Sequence, residues 1–199
     1  MPDTMKTKAP NPIRSIENKN PSPFIQFYFE FVHLKQLYRQ GWLVRGIPTE
    51  HCESVAEHSF AVAVTAMILA DSIFPKLDTL KILQMALIHD FGEIYAGDIT
   101  PGENIPPEEK QQLERDSLTQ IFTAFPNGEY YLTLWEEFET GISLEAHFVR
   151  QIDKLEMALQ ASVYEHQQAL NLGEFFETAG EGISSPELKS ILRELEDLR

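Results

Sequence analysis

The sequence has only one cysteine, Cys52, among its 199 residues, so no disulfide can form within the chain. This fits a reducing compartment such as the cytoplasm. The longest strongly apolar run, residues 60–70, falls well short of the roughly 20 residues that a helix needs to cross a bilayer. No basic segment followed by an apolar core opens the chain, so we expect no secretory signal. We therefore expect a soluble, cytoplasmic protein without a membrane partner.

Positive charge is also scarce. The chain has 16 Lys and Arg against 31 Asp and Glu, which gives a formal net charge of −15 at pH 7. Binding to DNA or RNA is driven by Lys and Arg that displace counterions from phosphates, so a nucleic-acid polymer is not an expected partner. The imbalance is uneven, because residues 1–60 hold seven basic and six acidic side chains and residues 61–199 hold nine and 25. A small anionic substrate would need basic groups from the first third of the chain, or a metal ion.

The sequence contains no strand hairpin, internal repeat, glycine-rich phosphate loop or nucleophile elbow. Apolar residues instead recur at intervals of three and four, which predicts a single all-α domain of about seven or more helices over residues 24–199. The first of these helices is predicted from Phe24 to just before Gly41. Residues 1–23 are polar and rich in proline, which predicts a mobile N-terminal leader.

The most informative stretch reads ALIHDFGEIYAGDITP. It places His89 and Asp90 in an apolar run, where unpartnered polar groups are costly to bury. On a helix, Glu93 would return to the same face one turn later, and Gly97 would let the chain turn Asp98 back toward them. Two interpretations follow: a cluster that binds a divalent cation, or a buried His–Asp pair followed by two solvated acids at a helix end.

Two more polar residues occupy apolar surroundings. Ser54 and Glu57 have the spacing of a capping box, which places His58 in the first or second turn of a buried helix. Asp153 lies on the apolar face of the longest predicted helix. The adjacent Lys154 is not expected to neutralise it, because neighbours in sequence diverge by about 100° around a helix.

The candidate metal ligands are thus His58, His89, Asp90 and Asp153. Imidazole and carboxylate donors suit Mn, Fe, Co, Ni, Zn or Mg, and do not decide between them. Gaps of 31 and 63 residues between the ligands are unlike the short paired spacings of a zinc finger. The loop after the first helix adds Arg39 and Arg45 on either side of Trp42, and Arg is well shaped to fork around a phosphate.

The order H…HD…D formed by these four ligands resembles that of the HD-domain phosphohydrolases. The surrounding segments look like those of the HD-domain 5′-deoxynucleotidases, and the likeness covers about residues 24–199. The similar segments are residues 53–59, 89–93, 97–101, 104–110, 135–140 and 153–157.

The resemblance implies a reaction and roles for individual residues. The implied reaction is hydrolysis of 2′-deoxynucleoside 5′-monophosphates to deoxynucleoside and phosphate, carried out by a homodimer. A first divalent ion would be bound by His58, His89, Asp90 and Asp153, and a possible second by Glu93, Asp98 and the backbone of Ile99. Glu93 and Arg39 would be catalytic, Glu93 by orienting or deprotonating water. The small-molecule nucleotide would contact Arg39, Trp42, Asp98, Ile99 and Thr100, with Trp42 as a candidate wall against a 2′-hydroxyl.

Two alternatives stay open. The chain could be another HD-type phosphohydrolase that cleaves a cyclic nucleotide, a nucleoside triphosphate or a pyrophosphate. It could also be a non-catalytic helical module whose metal only holds helices together. The short chain and the specific segments favour a 5′-deoxynucleotidase over the first alternative, and the presence of Glu93 and Asp98 argues against the second.

Overall fold

The computed structural model describes residues 6–199, and the chain in that range is helical. The α-helices are α1 (Pro23–Phe31), α2 (Gln40–Val44), α3 (Val55–Ile73), α4 (Thr79–Ile88), α5 (Glu93–Ala96), α6 (Pro107–Phe122), α7 (Gly128–Thr140), α8 (Leu144–Gln168), α9 (Gly173–Gly182) and α10 (Pro186–Asp197). Short 3-10 helices occur at Pro12–Ser15, Val32–Lys35 and Pro101–Glu103. Within residues 6–199, β structure is limited to isolated bridges between Thr7 and Leu37 and between Tyr38 and Ser54. The predicted all-α fold is confirmed.

The predicted first helix is shorter in the structure than its apolar pattern suggested. The α-helical part ends at Phe31, and the chain tightens into a 3-10 turn in which the Gln36 amide donates to the His33 carbonyl at 2.7 Å. Beyond it, the carbonyl of Leu37 accepts from the amide of Val55 at 2.9 Å. The chain leaves the helix because this backbone forms bonds with a distant segment, which the local apolar pattern does not reveal.

The chain divides into two compact units. Among the described residues, the first contains 6–59 together with Ile88–Trp135, and the second contains Phe60–Leu87 and Glu136–Arg199. The first unit has a chain of aromatic contacts. Ring centroids are 5.7 Å apart for Phe31 and Phe91, 6.1 Å for Phe91 and Phe122, and 5.1 Å for Phe122 and Tyr131.

The second unit is built around α8, which packs against α9 and α10. Ser143 caps the N-terminus of α8, where its Oγ accepts from the amide of Ala146 at 3.1 Å. The prediction that residues 24–199 behave as one domain stays a prediction.

Part of the predicted mobile leader, residues 1–5, lies outside the described residues. The rest makes specific contacts within the first unit: the Lys8 amide donates to the Gln36 carbonyl at 2.6 Å, and the Lys8 ammonium lies 2.9 Å from the Glu57 carboxylate. Ile16 is 8% exposed. The mobility of residues 6–23 stays a prediction, and these are the contacts that such motion would have to break.

By length and composition alone, α3 could cross a membrane, and among residues 6–199 it is the one helix that meets this description. About a third of its apolar stretch is buried. The helix also carries Glu57, His58 and Asp71, and such groups are costly inside hydrocarbon.

Candidate functional site

His58 lies in the first turns of α3, and its backbone is held by a capping box. Ser54 Oγ accepts from the Glu57 amide at 3.3 Å, and the Glu57 carboxylate accepts from the Ser54 amide at 2.6 Å. The predicted capping box is confirmed. The His58 side chain is 1% exposed, so the cap fixes the start of α3 at a point where an imidazole is buried.

The sequence pattern suggested that His89 and Asp90 lie on a helix, but in the structure they do not. Helix α4 ends at Ile88, and both residues occupy the turn before α5. The backbone there switches to bonds between residues three apart: Phe91 donates to Ile88, and Glu93 donates to Asp90, each at 3.0 Å. This tighter winding still places residue i+3 above residue i, so the predicted proximity of Asp90 and Glu93 survives the loss of the helix.

His58, His89 and Asp90 converge. One ligand atom from each lies within 4.8 Å of the other two. Asp90 Oδ2 is 3.7 Å from His58 Nε2 and 3.4 Å from His89 Nε2. The structure therefore brings together three of the four predicted ligands of the first metal ion.

Glu93 and Asp98 enter the same region through α5 and the turn that follows it. Gly97 has φ of 84°, a conformation that strains residues with a side chain, and it ends α5. Immediately after this turn, Asp98 Oδ2 accepts from the backbone amide of Gln40 at 2.6 Å. Glu93 and Asp98 are 3% and 8% exposed.

Arg39 joins these carboxylates. Its Nη1 lies 3.5 Å from Asp90 Oδ2, 3.7 Å from Glu93 Oε1 and 3.5 Å from Asp98 Oδ1. These distances exceed the roughly 2.7–2.9 Å of a short charge-assisted hydrogen bond, so one guanidinium is shared among three carboxylates. We call Arg39, Asp90, Glu93 and Asp98 the Arg39 cluster.

The cluster has an excess of negative charge. Burial raises the pKa of the Glu93 carboxyl well above its ordinary value, and the charges of Asp90 and Asp98 raise this pKa further. Arg39 and Lys110 oppose the rise but do not reverse it. A cation placed among these groups would favour the ionised form of Glu93.

The residues fit a divalent metal ion. Two imidazole nitrogens and a carboxylate oxygen are a donor set that suits first-row transition metals and tolerates Mg²⁺. Ligands about 2.0–2.2 Å from a shared ion lie roughly 3.0–3.5 Å from one another, close to the separations between Asp90 and the two histidines. The fit rests on these distances and on the surplus of carboxylates.

Two supporting residues were not predicted from the sequence. Trp135 is 1% exposed, and its Nε1 donates to the carbonyl of His89 at 3.1 Å, which satisfies a carbonyl in the turn that carries two ligands. Gln40 supplies the amide that holds Asp98. The likeness of residues 135–140 to known segments was a signal for Trp135, whereas a backbone amide leaves no trace in the sequence.

The other predicted substrate-binding residues are placed as follows. Trp42 is 3% exposed, and its Nε1 donates to Glu53 Oε1 at 2.7 Å. Ile99 is buried, and Thr100 forms a capping box with Glu103. Arg45 is exposed at the C-terminus of α2. The substrate contacts assigned to Trp42, Ile99 and Thr100 stay predictions, as does a second metal ion at Glu93, Asp98 and Ile99.

Asp153, the fourth predicted ligand, belongs to α8 in the second unit. Its side chain is 15% exposed, and its Oδ2 lies 2.9 Å from Lys154 Nζ. The expectation that these sequence neighbours do not pair is therefore wrong, because the long lysine side chain curls back across the angle that separates their Cβ atoms. The role of Asp153 as a metal ligand stays a prediction.

The chain is similar to known proteins in sequence and in fold. A sequence model of the HD domain matches residues 31–196. The chain is 40% identical over 171 residues to 5′-deoxynucleotidase HDDC2 of Mus musculus, which covers 83% of each chain. The protein of the same name from Dictyostelium discoideum is 35% identical over 190 residues, or 89% of this chain and 99% of that one. A crystal structure of a protein from Pyrococcus horikoshii OT3 superposes with a TM-score of 0.73 at 32% identity, covering 88% of this chain and 99% of the other.

Proposed function

This chain belongs to the HD-domain family, and we propose that it is a metal-dependent 5′-deoxynucleotidase that releases phosphate from 2′-deoxynucleoside 5′-monophosphates. The observation that carries the proposal is the Arg39 cluster beside His58 and His89. It combines ligands for a divalent ion, a buried carboxylate of raised pKa and a guanidinium in one place. The names of the relatives narrow this chemistry to deoxynucleoside monophosphates.

His58, His89 and Asp90 would hold the metal ion, with Asp153 as the predicted fourth ligand. When bound, such an ion polarises a phosphoryl oxygen and lowers the pKa of coordinated water. Arg39 presents a guanidinium whose fork matches two phosphate oxygens, and it is 20% exposed, so a ligand can reach it.

Glu93 is positioned to accept the proton of the attacking water. Its carboxyl is buried, and its pKa is raised by burial and by two neighbouring acids, which moves it toward the range where a carboxylate acts as a general base near neutral pH. Water adds to phosphorus as the bond from phosphorus to the 5′ oxygen breaks. Glu93 accepts the proton of the water, and a proton returns to the 5′ oxygen as the deoxynucleoside leaves.

We propose that substrate choice is made at the sugar and the phosphate and not at the base. The residues assigned to the substrate are Arg39, Trp42, Asp98, Ile99 and Thr100, and no base-reading motif accompanies them. Trp42 is largely buried, so its contribution to a wall against a 2′-hydroxyl would come from the small exposed part of the ring or from the backbone that it supports. Activity is therefore expected on dAMP, dGMP, dCMP, dTMP and dUMP alike.

A phosphate-release assay tests the proposal. The purified protein is assayed with each deoxynucleotide, its ribonucleotide counterpart, a cyclic nucleotide, a nucleoside triphosphate and pyrophosphate, with Mn²⁺, Co²⁺, Mg²⁺, Ni²⁺, Zn²⁺ or Fe²⁺ or with chelator. We expect phosphate from all five deoxynucleotides, less from ribonucleotides, and none with chelator. Cleavage of the cyclic nucleotide, triphosphate or pyrophosphate instead would support a different HD hydrolase, and inactivity toward every compound would support a structural metal.

We also propose that the protein is a homodimer, with a stripe on α3 as the contact. Phe60, Val64, Met67 and Ile68 are 68%, 39%, 36% and 54% exposed, and their spacing places them on one face of the helix. A continuous apolar face of this kind is unusual on a monomer, whereas single exposed apolar residues are common. Phe24, Ile25 and Tyr28 on α1 form a smaller exposed group.

Light scattering tests the dimer, because one chain has a mass of 22.8 kDa and a dimer would have twice that. Ile68→Glu should shift the mass to that of one chain, and Tyr28→Glu should leave it unchanged. A wild-type mass near that of one chain would contradict the proposal.

We propose a cytoplasmic location, supported by Cys52, which is a buried free thiol whose pKa burial raises to about 12. Imaging of a fluorescent fusion tests the location.

A further inference from the structure

We propose that Lys110 is a second phosphate-binding cation of this site, held by Glu114 and directed toward the phosphate that Arg39 also binds. The inference rests on the proposed function and deepens it. The sequence predicted Arg39, with possible help from Arg45, as the sources of positive charge, whereas Lys110 belongs to a helix whose other early residues are acidic.

Close packing of α6 on the turn before α5 positions this lysine. Glu114 lies against Gly92, so closely that a Cβ added to Gly92 would meet the Glu114 Cβ at 2.5 Å. Gly92 immediately precedes Glu93 and follows Asp90 by two residues. Lys110 is one helical turn before Glu114 on the same face of α6, and its Nζ lies 3.4 Å from Glu114 Oε1. The close approach therefore places the lysine beside the turn that carries two residues of the Arg39 cluster.

The electrostatics of the two partners agree with this placement. Burial lowers the pKa of Lys110, but the negative charges of Glu114, Glu93, Asp90 and Asp98 outweigh it and hold this pKa above its ordinary value. The reciprocal effect occurs at Glu93, whose pKa Lys110 lowers. Lys110 is thus charged at physiological pH, and its field reaches all three acids of the cluster. Its side chain remains 38% exposed, so the ammonium is open to a ligand from solvent.

The charge of the site gives this lysine a function. The three acids and Arg39 together carry a formal charge of minus two, which a divalent ion would bring to zero. Glu114 adds one negative charge beside Lys110, and the ammonium cancels it. Without Lys110 these groups would carry a net negative charge, which opposes binding of a phosphate monoester.

Binding of inorganic phosphate to the Mn²⁺-loaded protein, measured by calorimetry, tests the proposal independently of turnover. Lys110→Gln should raise the dissociation constant about tenfold, in the range expected for loss of one bond to a charged group. Lys110→Arg should restore most of the affinity. Arg115→Gln is the matched control, since it removes the same charge from an exposed position of α6 and should leave the affinity unchanged. Metal content should be equal in all four proteins.

Glu114→Gln should give a smaller loss of phosphate affinity, because the freed Lys110 keeps its charge while one negative charge near the phosphate is removed. If Lys110→Gln binds phosphate as tightly as wild type, or if Arg115→Gln weakens binding equally, the proposal is wrong. Should Lys110→Gln fail to fold, Lys110→Met, which keeps the aliphatic stem, replaces it in the same assay. Failure of the proposed function is a separate result, namely wild-type protein that binds phosphate but releases none from any deoxynucleotide.

Discussion

The Arg39 cluster of the first unit and the amide of Gln151 in the second unit are both buried, yet their contacts differ in length and in charge. Gln151 is 4% exposed, and its Oε1 accepts from the amides of Ser184 and Ser185 at 2.7 and 2.8 Å. Its Nε2 donates to the carbonyl of His147 at 3.2 Å. Arg39, in contrast, faces three carboxylates at 3.5–3.7 Å.

The difference separates a structural polar group from a functional one. The amide of Gln151 is neutral, and its bonds are short and complementary, so it stabilises the fold without further partners. The Arg39 cluster holds like charges close together, and its acids gain from a bound cation while its arginine gains from a bound anion. Substitutions in the cluster should therefore remove activity and spare stability, and substitution of Gln151 should do the reverse.

Loss of Asp90 should have the largest effect. Asp90→Ala deletes the oxygen that faces both imidazoles, so bound metal and turnover should both disappear. Glu93→Ala should keep the metal and lower kcat about 10²–10⁴-fold, the usual contribution of a general acid–base group. Metal analysis after gel filtration and phosphate release measure the two effects.

Denaturant unfolding sharpens the same test. Glu93→Gln should unfold at a denaturant concentration no lower than wild type, since it removes one of three neighbouring negative charges. Equal loss of metal in Asp90→Ala and Glu93→Ala would contradict the division of roles between these residues. A marked loss of stability in Glu93→Gln would show that the cluster is structural.

Arg39→Ala should lower kcat/KM on the order of 10²-fold, as expected when a charged, forked phosphate contact is lost. The loss should be the same for dAMP, dGMP, dCMP, dTMP and dUMP, because a phosphate contact carries no information about the base. Arg115→Ala, at an exposed position on α6, is the control. An effect of Arg39→Ala that depends on the base would remove Arg39 from the phosphate.

Gln151→Leu should lower the free energy of unfolding by about 2–4 kcal/mol, because it leaves the amides of Ser184 and Ser185 without their acceptor. The value of kcat/KM, measured well below the melting temperature, should stay within about twofold of wild type, because Gln151 belongs to the second unit and the Arg39 cluster to the first. Gln167→Leu, at an exposed position of the same helix, should change stability by less than about 0.5 kcal/mol. Loss of activity at unchanged stability would reverse the assignment of Gln151.

The effect of His33 on stability should be smaller. His33 is buried in the first unit, and neither of its ring nitrogens has a hydrogen-bond partner among residues 6–199. Burial, aided by the positive charge of Arg14, lowers the pKa of His33 to about 4. The unfolded chain, with a histidine pKa of about 6.5, binds the proton first, so stability is complete above that pH and falls as the pH decreases toward 4.

As the pH decreases from 6.5 to 5, the lowered pKa of His33 should reduce the free energy of unfolding by about 2 kcal/mol. Urea unfolding of wild type and His33→Leu across this range measures the effect. The variant should show a shallower decline, and because both proteins carry the same carboxylates, the difference between their slopes belongs to His33. Parallel slopes would show that the pKa of His33 is the same in the folded and the unfolded chain.

Several features follow from residues close together in the sequence. The capping box of Ser54 and Glu57 sets the start of α3, and the apolar periodicity predicts the all-α fold correctly. The proximity of Asp90 and Glu93 depends only on a spacing of three, which brings side chains together in a helix and in a tight turn alike. The glycine before Asp98 likewise signals a turn that other residues would resist.

Other features were decided by contacts between distant parts of the chain. The Asp98 carboxylate is held by an amide 58 residues away, and the His89 carbonyl by an indole 46 residues away. Periodicity predicts which side of a helix is apolar, but the partner on the other side depends on how helices pack. Long side chains add conformational freedom, which is how the ammonium of Lys154 reaches the carboxylate of Asp153. The types of residue at the site can therefore be read from the sequence, whereas the sharing of Arg39 among three acids arises only when the chain is folded.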